Sequence, residues 1–591
     1  MACFLQKCDM ASNFRLIAAP NLRDGADEER ELLQLLARGD TSQARILAGR
    51  LIGDFPSRGV PWKVWGALLW AEGRPDEAVT AMQRSVQLLV SDAEAHCNLG
   101  LTLAKLERFA EAEASLSRAM EIDPRFSIAH YRLGMTCWMQ GDLHRAVSHL
   151  RRGLGLRADY AAGDDAQNHS NMLFILSHDP DVKAGTLFAE HRSFGTYWET
   201  RLPARRASFA NVPDPARRLR IGFVSGDLYD HSVGRFLELV LAPLARHNDL
   251  ELHAYCMNVQ ADALNGRLRS QFHVLHAVEG LDDDACAARI EADVIDVLID
   301  LSGHTGHNRL PVFARRPAPV QVSWLGYPGT TGLSAMDYYL ADPKWLPPGR
   351  FDAMFTEKLI YLPDRWAFTP HPAAPPVGPL PALASGRLTF GSFHRLGKIN
   401  AETIALWSEL LLALPGSTLL LAGIPLEGKS ARLLDQFAAH GIARERLELE
   451  ERCTMDRYLA IHHRIDIALD TLAYSGATTT MHSLSMGVPT LTVAGGTPQA
   501  RACAGILAHL DLEAFVATDA ADFLAKGRHW AAHLQELATL RRQIRTRLQD
   551  SPAGNPALIA AHLHGALRHI WQRWCQQLPP ESFHSTPENP T

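Results

Sequence analysis

The chain lacks any uninterrupted apolar run near 18 residues, so a membrane-spanning helix is not expected. Its first residues, MACFLQKCDMASNF, hold no continuous apolar core of signal-peptide length. Cysteine is sparse: nine in 591 residues, mostly far apart and with no CxxC pair. That pattern argues against a disulfide scaffold or a zinc module and points to a reduced, cytoplasmic protein. Charge of one sign is not in excess either. Lys+Arg is 59 and Asp+Glu is 65, a net of −6, which gives no general pull toward nucleic acid and leaves room only for a local basic patch. No GxGxxG follows the first strand, so dinucleotide binding loses its main support.

What is present begins with length. At 591 residues the chain has room for about three to five domains. An apolar fraction of 47% and a charged fraction of 21% exclude a mainly disordered or collagen-like chain.

Internal repetition is the first positive signal. Gly66, Gly100 and Gly134 are spaced by 34 residues. Ala78, Ala112 and Ala146 keep the same spacing, and Ala44 stands one unit earlier. Position 32 is Leu where the other units carry Gly, as in a degenerate capping repeat. The glycines are expected about one turn into the first helix of each unit. The alanines belong in the second helix, where a small residue lets the two helices close up. Asp123-Pro124 ends one unit. This register resembles the tetratricopeptide repeat over about residues 28–160, with an irregular helical bundle as the alternative. Such repeats stack into a solenoid that binds peptides or proteins. Three or four units are few, and a purely structural role stays open.

From Leu219 the period changes. LRIGFVSGD (219–227), ELHAYCMN (251–258), DVIDVLIDLSG (293–303), VQVSWLG (320–326) and KLIYLPD (358–364) read as strands separated by helices. This predicts βαβ units and a buried parallel sheet over 219–366. Residues 161–218 read as a helical junction, and 1–27 as an N-terminal extension. Six prolines in 367–386 exclude a helix interior or central strand there and mark a linker. A second strand series covers RLTFGSFH (387–394), STLLLAG (417–423), RLELEE (446–451), DIALDT (466–471) and PTLTVAG (489–495). It places a second lobe over 387–575, closed by one long helical segment, 530–575. Residues 576–591 read as a frayed tail. Two Rossmann-like lobes and a final helix suggest the GT-B glycosyltransferase architecture. A periplasmic-binding-protein-like or two-domain dehydrogenase arrangement would look similar at this level.

In open parallel sheets, ligands bind beyond the carboxyl ends of strands. Four segments fall there: GDLYDHS (226–232), SGHTGHNR (302–309), GSFHRLGK (391–398) and DTLAYSGATTT (470–480). Gly476 to Thr480 open a helix with small and hydroxyl residues. Free backbone N–H groups and threonine hydroxyls there would suit a diphosphate, although threonine also serves as an ordinary N-cap. Lys398 follows a strand in a glycine-containing loop. It could neutralise a departing diphosphate or simply stand in solvent. His231 follows the first strand with Asp227 four residues before it, and a nearby carboxylate can set a histidine's tautomer and basicity. The chain holds 27 histidines, so position alone singles out none of them. Asp282-Asp283-Asp284 precedes a helix and reads as N-terminal helix charge rather than a metal motif.

Five segments in order carry a family resemblance. They are NHSNMLFILSHDP (168–180), GFVSGDLYDH (222–231), RRPAPVQVSWLGYPGTTG (315–332), GSFHRLGKI (391–399) and LDTLAYSGATTTMHSLSMGVPTLT (469–492). Together with the 34-residue repeats they resemble the O-linked N-acetylglucosamine transferase family, including its bacterial members and the plant SPINDLY-like relatives. The resemblance covers about residues 28–575. It implies a tetratricopeptide-repeat superhelix followed by a GT-B glycosyltransferase. It also implies inverting, metal-independent transfer of a sugar from a nucleotide sugar to Ser or Thr hydroxyls of proteins, with no cofactor.

By the same resemblance, Lys398 matches the diphosphate-binding lysine and His231 a histidine near the reacting centre. Asp227 and His169 match groups proposed for proton transfer. Lys398 ranks ahead of His231 among the groups that could serve in that step. Thr478 and Thr479 match the phosphate-binding pair. Gly476, Arg395, Cys453, Tyr458 and His482 fall in the donor region. Met172, Leu173, Thr305, Leu325 and Gly326 fall where the family surrounds the sugar and acceptor.

The chain also departs from the animal enzyme pattern. His394 and Arg395 stand for Asn and Gln, Tyr458 and Ala477 for histidines, and His482 for a ribose-holding aspartate. A large insert between the lobes is missing. The motifs are at least as close to the SPINDLY-like branch, which uses GDP-fucose. UDP-N-acetylglucosamine is the favoured donor and GDP-fucose the alternative. A peptide-binding scaffold with relic catalytic lobes is a further reading. Protein or peptide acceptors are the expected partners, and an oligomer is possible.

Overall fold

The computed structural model describes residues 26–156, 163–202, 208–257, 260–424 and 430–587. The chain divides into two compact units, Met1–Ala161 and Ala162–Thr591.

Among the described residues of the first unit, eight helices follow one another in four pairs. They are Ala26–Ala37 with Thr41–Asp54, Gly59–Ala71 with Pro75–Leu88, Ala93–Lys105 with Phe109–Ile122, and Ser127–Met139 with Leu143–Gly155. Asp40, Asp92 and Asp142 cap three of these helices by accepting from the backbone N–H three residues on. Gly66, Gly100 and Gly134 are each the eighth residue of their helix, two turns in rather than one. A Cβ on Gly100 would lie 2.6 Å from Leu116 Cγ and 3.2 Å from the Ala112 carbonyl. Gly66 meets Met82 and Ala78 in the same way, and Gly134 meets Leu150 and Ala146. The glycine and alanine series are therefore two sides of one helix–helix contact. Any larger residue would push the pair apart.

The second unit opens with two helices, Gly163–Leu176 and Ala184–Arg201. The first lobe then builds β1 (Leu219–Ser225), β2 (Leu250–Cys256), β3 (Val274–Ala277), β4 (Val297–Asp300), β5 (Val320–Ser323), β6 (Tyr338–Ala341) and β7 (Lys358–Tyr361). The second lobe builds β8 (Thr389–Ser392), β9 (Thr418–Ala422), β10 (Leu447–Glu450), β11 (Ile467–Leu469), β12 (Thr490–Val493) and β13 (Val516–Ala517). A last strand, β14 (Phe583–His584), joins the first lobe. The sheets run β14-β7-β6-β5-β4-β1-β2-β3 and β10-β9-β8-β11-β12-β13, with parallel pairing throughout the described residues.

One apolar core runs through both lobes, from Phe223 and Val297 through Trp366 to Phe390, Trp407 and Leu469. Trp345 of the first lobe donates Nε1–H to the Pro498 carbonyl at 2.8 Å, and His509 Nε2 meets Asp342 Oδ1 at 3.0 Å. No described helix is long and apolar enough to cross a membrane. The Asp282 side chain caps the helix Asp283–Ala292, while Asp283 pairs with Arg309 and Asp284 with Arg315. The aspartate triplet is helix-start charge, as its position predicts.

Several expectations need correction. The helical segment 530–575 is not continuous. Helices Ala520–Ala532, Leu534–Asp550 and Pro556–Cys575 are separated at His533 and at Ser551–Asn555, where Pro552 stops one helix and Asn555 caps the next. The final helix lies against the first lobe. Trp571 donates to the Asp214 carbonyl, Arg568 to that of Arg217, and His564 pairs with Asp249. The tail is not frayed at β14, which pairs with β7. Ser585 donates its hydroxyl to the Tyr361 carbonyl, and the Leu359 N–H donates to Ser582. The strands β3, β6, β13 and β14 went unpredicted. The proline-rich linker is packed: Leu380 is buried, and the Pro375 and Pro376 carbonyls face Arg545 and His463.

Candidate active site

Asp227, His231, Thr305, Leu325, Gly326, Arg395, Lys398 and the segment 476–482 follow the carboxyl ends of β1, β4, β5, β8 and β11, as ligand groups of an open parallel sheet do, whereas Cys453 and Tyr458 follow β10 and His169, Met172 and Leu173 lie on the helix Gly163–Leu176. In the second lobe the organising group is Asp470, directly after β11. Its Oδ1 accepts from the Gly476 N–H at 2.8 Å, and its Oδ2 accepts from the Ser475 and Thr492 hydroxyls, both at 2.7 Å. His394 Nε2 lies 3.2 Å from Oδ1. Burial alone would raise this carboxyl, but those donors hold it below the usual carboxylate range. The network folds residues 470–476 back onto their own strand and delivers the chain to the helix Thr478–Ser485.

That helix starts without a side-chain cap. Ala477 stands at the cap position, and Thr479 Oγ1 is buried with no hydrogen-bond partner. Thr478 is half-buried beside it. Lys398, at the end of a short 3-10 turn after β8, donates Nζ to the Ser475 carbonyl at 3.4 Å. Its ammonium also sits 4.5 Å from the centre of the Tyr474 ring. Burial, with Arg395 beside it, pulls Lys398 down to about 7. Tyr474 stacks on His178 of the opening helical segment at 4.0 Å, so the loop carrying Gly476 is braced from behind. Arg395 is exposed, and its charge reaches both His178 and His231.

Cys453, Tyr458 and His482 form a second group in this lobe. Tyr458 OH lies 3.4 Å from His482 Nδ1, and Cys453 packs at the edge of the same cluster. Burial lowers His482 to about 4, with Arg235 and His371 acting in the same direction.

In the first lobe, His231 is the cap residue of the helix Ser232–Leu244. Its Nδ1 accepts from the Val233 N–H at 3.4 Å and lies 3.5 Å from Asp227 Oδ2. Burial lowers His231 and the Asp227 carboxylate opposes that shift. Asp227 itself is raised by burial. Thr305 donates its hydroxyl to the Ser302 carbonyl. Leu325 adopts φ +66°, and its carbonyl accepts from buried Arg365. Gly326 has backbone where a Cβ would stand, against the Leu301 and Ser302 carbonyls. Met172 and Leu173 are core side chains, 3% and 0% exposed. His169 packs edge-on against Phe194, and burial lowers it to about 4, with His191 adding to the effect.

Sequence reasoning did not single out several groups. Asp470 was visible only as a strand end. Tyr474 and His178 pair across 296 positions, a contact with no local signal. Glu357 accepts from the Thr330 hydroxyl and the Thr331 N–H, both at 2.7 Å, and so holds the 329–332 loop. The chain also contains a GxxxxGK[ST] pattern, GIPLEGKS at 423–430, between β9 and the helix Ala431–Ala439. Residues 425–429 of it lie outside the described residues.

Residues 165–374 and 381–561 match glycosyl transferase family 41, and residues 93–126 match a tetratricopeptide repeat. The chain belongs to glycosyl transferase family 41. Within reach of this family 41 chain is an Arabidopsis thaliana protein named probable UDP-N-acetylglucosamine–peptide N-acetylglucosaminyltransferase SPINDLY. It is 34% identical over 424 residues, 70% of this chain and 46% of its own length. A second Arabidopsis protein with the same activity in its name, SEC, is 26% identical over 380 residues, 62% of this chain and 38% of its own. The chain thus spans about half the length of the SPINDLY relative or less than half that of SEC. The solved structure of a mutant O-GlcNAc transferase from Thermobaculum terrenum is 32% identical. It covers 94% of this chain and 100% of its own, with a TM-score of 0.79. The architecture of the family 41 chain is therefore tetratricopeptide repeats followed by two GT-B lobes.

Proposed function

We propose that this family 41 chain transfers N-acetylglucosamine from UDP-N-acetylglucosamine to Ser and Thr hydroxyls of cytoplasmic proteins, inverting the anomeric carbon and using no metal. The observation that carries this reading is the uncapped start of the helix Thr478–Ser485, with an unpartnered Thr479 hydroxyl and Lys398 close by. Backbone N–H groups at a helix start bind phosphate. A lysine poised near neutrality becomes fully charged when an anion arrives.

In the reaction, the acceptor oxygen bonds to the anomeric carbon as the bond from that carbon to the phosphate oxygen breaks. The electron pair leaves with the nucleoside diphosphate, whose added charge Lys398 and the helix start hold. The acceptor hydroxyl's proton needs a base. With the diphosphate bound, Lys398 is charged and occupied. His231 then takes the proton at Nε2 in the tautomer that turns its Nδ1–H to Asp227 Oδ2, 3.5 Å away, and gives up the long 3.4 Å contact with the Val233 N–H. Asp227 selects that tautomer and stabilises the imidazolium. The repeats and the named activity of the relatives support a protein or peptide acceptor.

GDP-fucose is the second reading. The resemblance of the motifs to the SPINDLY-like branch favours it, together with the Tyr458–His482 pair in the donor region. The test is thermal stabilisation by UDP and by GDP in parallel, without metal, on wild type and Lys398→Ala. A ligand at a hundredfold excess over Kd adds about 2.7 kcal/mol of stability. A UDP-only shift lost in the variant supports the first reading, and a GDP-only shift supports the second. No shift with either nucleotide overturns both and leaves a peptide-binding scaffold.

A further inference from the structure

His394 has no role in the chemistry above. It follows β8 and is 4% exposed. Its Nε2 meets Asp470 Oδ1 at 3.2 Å, and Asp470 is an anion held by three further donors. The ring proton of neutral His394 therefore sits on Nε2. Nδ1 keeps its lone pair, is sealed from solvent and has no hydrogen-bond partner in the protein. Thr479 Oγ1 is in the same condition. The two groups flank one glycine: a Cβ on Gly476 would lie 2.5 Å from His394 Cε1 and 2.5 Å from Thr479 Oγ1. Buried polar atoms without partners are rare and costly, and here two of them border one uncapped helix start.

The charges that bear on His394 are Asp470, at the end of β11, and Lys398 and Arg395 in its own loop. Burial comes first in keeping the free imidazole neutral, and the two cations add to it against the pull of Asp470. A diphosphate beside Lys398 offsets those cations and presents acceptor oxygens.

We propose that His394 takes up one proton from solvent at Nδ1 when a nucleoside diphosphate enters, and donates that N–H to the phosphate oxygens. The ligand's own bonds do not change. The inference rests on the donor-site reading above and adds a proton-linked contact to it. Asp470 is the positioning residue, since it fixes the imidazole through Nε2. The sign of the pH dependence follows. A ligand that prefers the charged ring binds with full strength below the free group's pKa. Its affinity then falls as pH rises toward the pKa of the bound state.

The experiment is titration calorimetry of the full chain with UDP and with GDP, at pH 6 and pH 8, for wild type and His394→Asn. Asparagine keeps an amide N–H for Asp470 but cannot take up a proton. The Kd of the variant relative to wild type should be about tenfold larger at pH 6 than at pH 8, one pK unit of differential binding. Titration of Lys398 and of the ligand's own phosphate is common to both proteins and cancels in that ratio. At pH 7, in two buffers of different ionisation enthalpy, wild type should take up more protons on binding than the variant. A ratio equal at both pH values overturns the proposal, even if the variant binds weakly, because the role would then be one of shape alone. An unchanged melting temperature shows that the variant folds, and His394→Gln makes the same comparison if it does not. Failure of wild type to bind either nucleotide overturns the donor site and this inference together. Binding with a pH-independent ratio overturns this inference only.

Discussion

The two lobes each start a helix beyond a central strand, and they finish those starts in opposite ways. After β1, the helix Ser232–Leu244 is capped by its own His231, which accepts the Val233 N–H. After β11, the helix Thr478–Ser485 starts at Ala477 with no side-chain cap, and the Thr479 hydroxyl has no partner. A capped start uses its N–H groups within the protein. An uncapped one holds them for a ligand and carries the cost until the ligand arrives. The same contrast runs through the charges. The first lobe sets His231 beside Asp227, the couple proposed to take the acceptor proton, while the second sets Lys398 beside an open helix start, the cradle proposed for the diphosphate. On the proposed reading, one βα unit serves two chemistries according to what fills the cap position.

Three substitutions would break or sharpen that contrast. The largest effect is expected at His231. His231→Ala removes the proposed proton acceptor of the first lobe and should lower turnover on a peptide acceptor by roughly 10²–10⁴-fold. Nucleotide affinity, measured by calorimetry, should stay near wild type. Weakened nucleotide binding together with intact turnover would merge the roles assigned here to separate lobes. Next is Asp470→Ala, which strips the second lobe's hub and leaves the Ser475, Gly476, Thr492 and His394 donors unpaired. A denaturant melt should show a loss of about 3–5 kcal/mol, the scale for breaking a buried charge network. Nucleotide binding should be lost with it. A variant that stays stable and still binds UDP or GDP would show that the cradle needs no hub. The smallest effect is expected from Ala477→Asp, which makes the second lobe imitate the first. A carboxylate at the cap position should compete with the diphosphate and weaken nucleotide binding by about tenfold, with melting temperature unchanged or slightly raised. Unchanged affinity would place the anion elsewhere.

Legibility differed between the lobes for the same reason. His231 and Asp227 lie four residues apart, so their pairing is a local event that spacing can suggest. Lys398 and Ser475 are 77 residues apart and meet only because β8 and β11 are neighbours in the sheet. The glycine and alanine series predicted the repeat contacts well, since each pair of helices is built from residues close in the chain. The depth of the glycines was misjudged by a turn, because nothing in the spacing marks where a helix begins. The strand β3 was passed over because it is a half-exposed edge strand without an apolar run, and β6 although its four residues are all buried. The two-residue β13 and β14 carry no pattern at all.

The sequence by itself determined the units of construction: 34-residue helix pairs, two series of parallel strands, and a threonine-rich helix start after β11. Each is written in residues near one another, where turn chemistry and periodicity act directly. The tertiary structure alone decided which of those pieces meet. It returned the final helix and β14 to the first lobe, through contacts such as Trp571 with Asp214 and Ser585 with Tyr361. It also set His394 against Asp470 with one nitrogen left over. Those outcomes depend on long-range packing, where many small contacts compete and no single residue type names its partner.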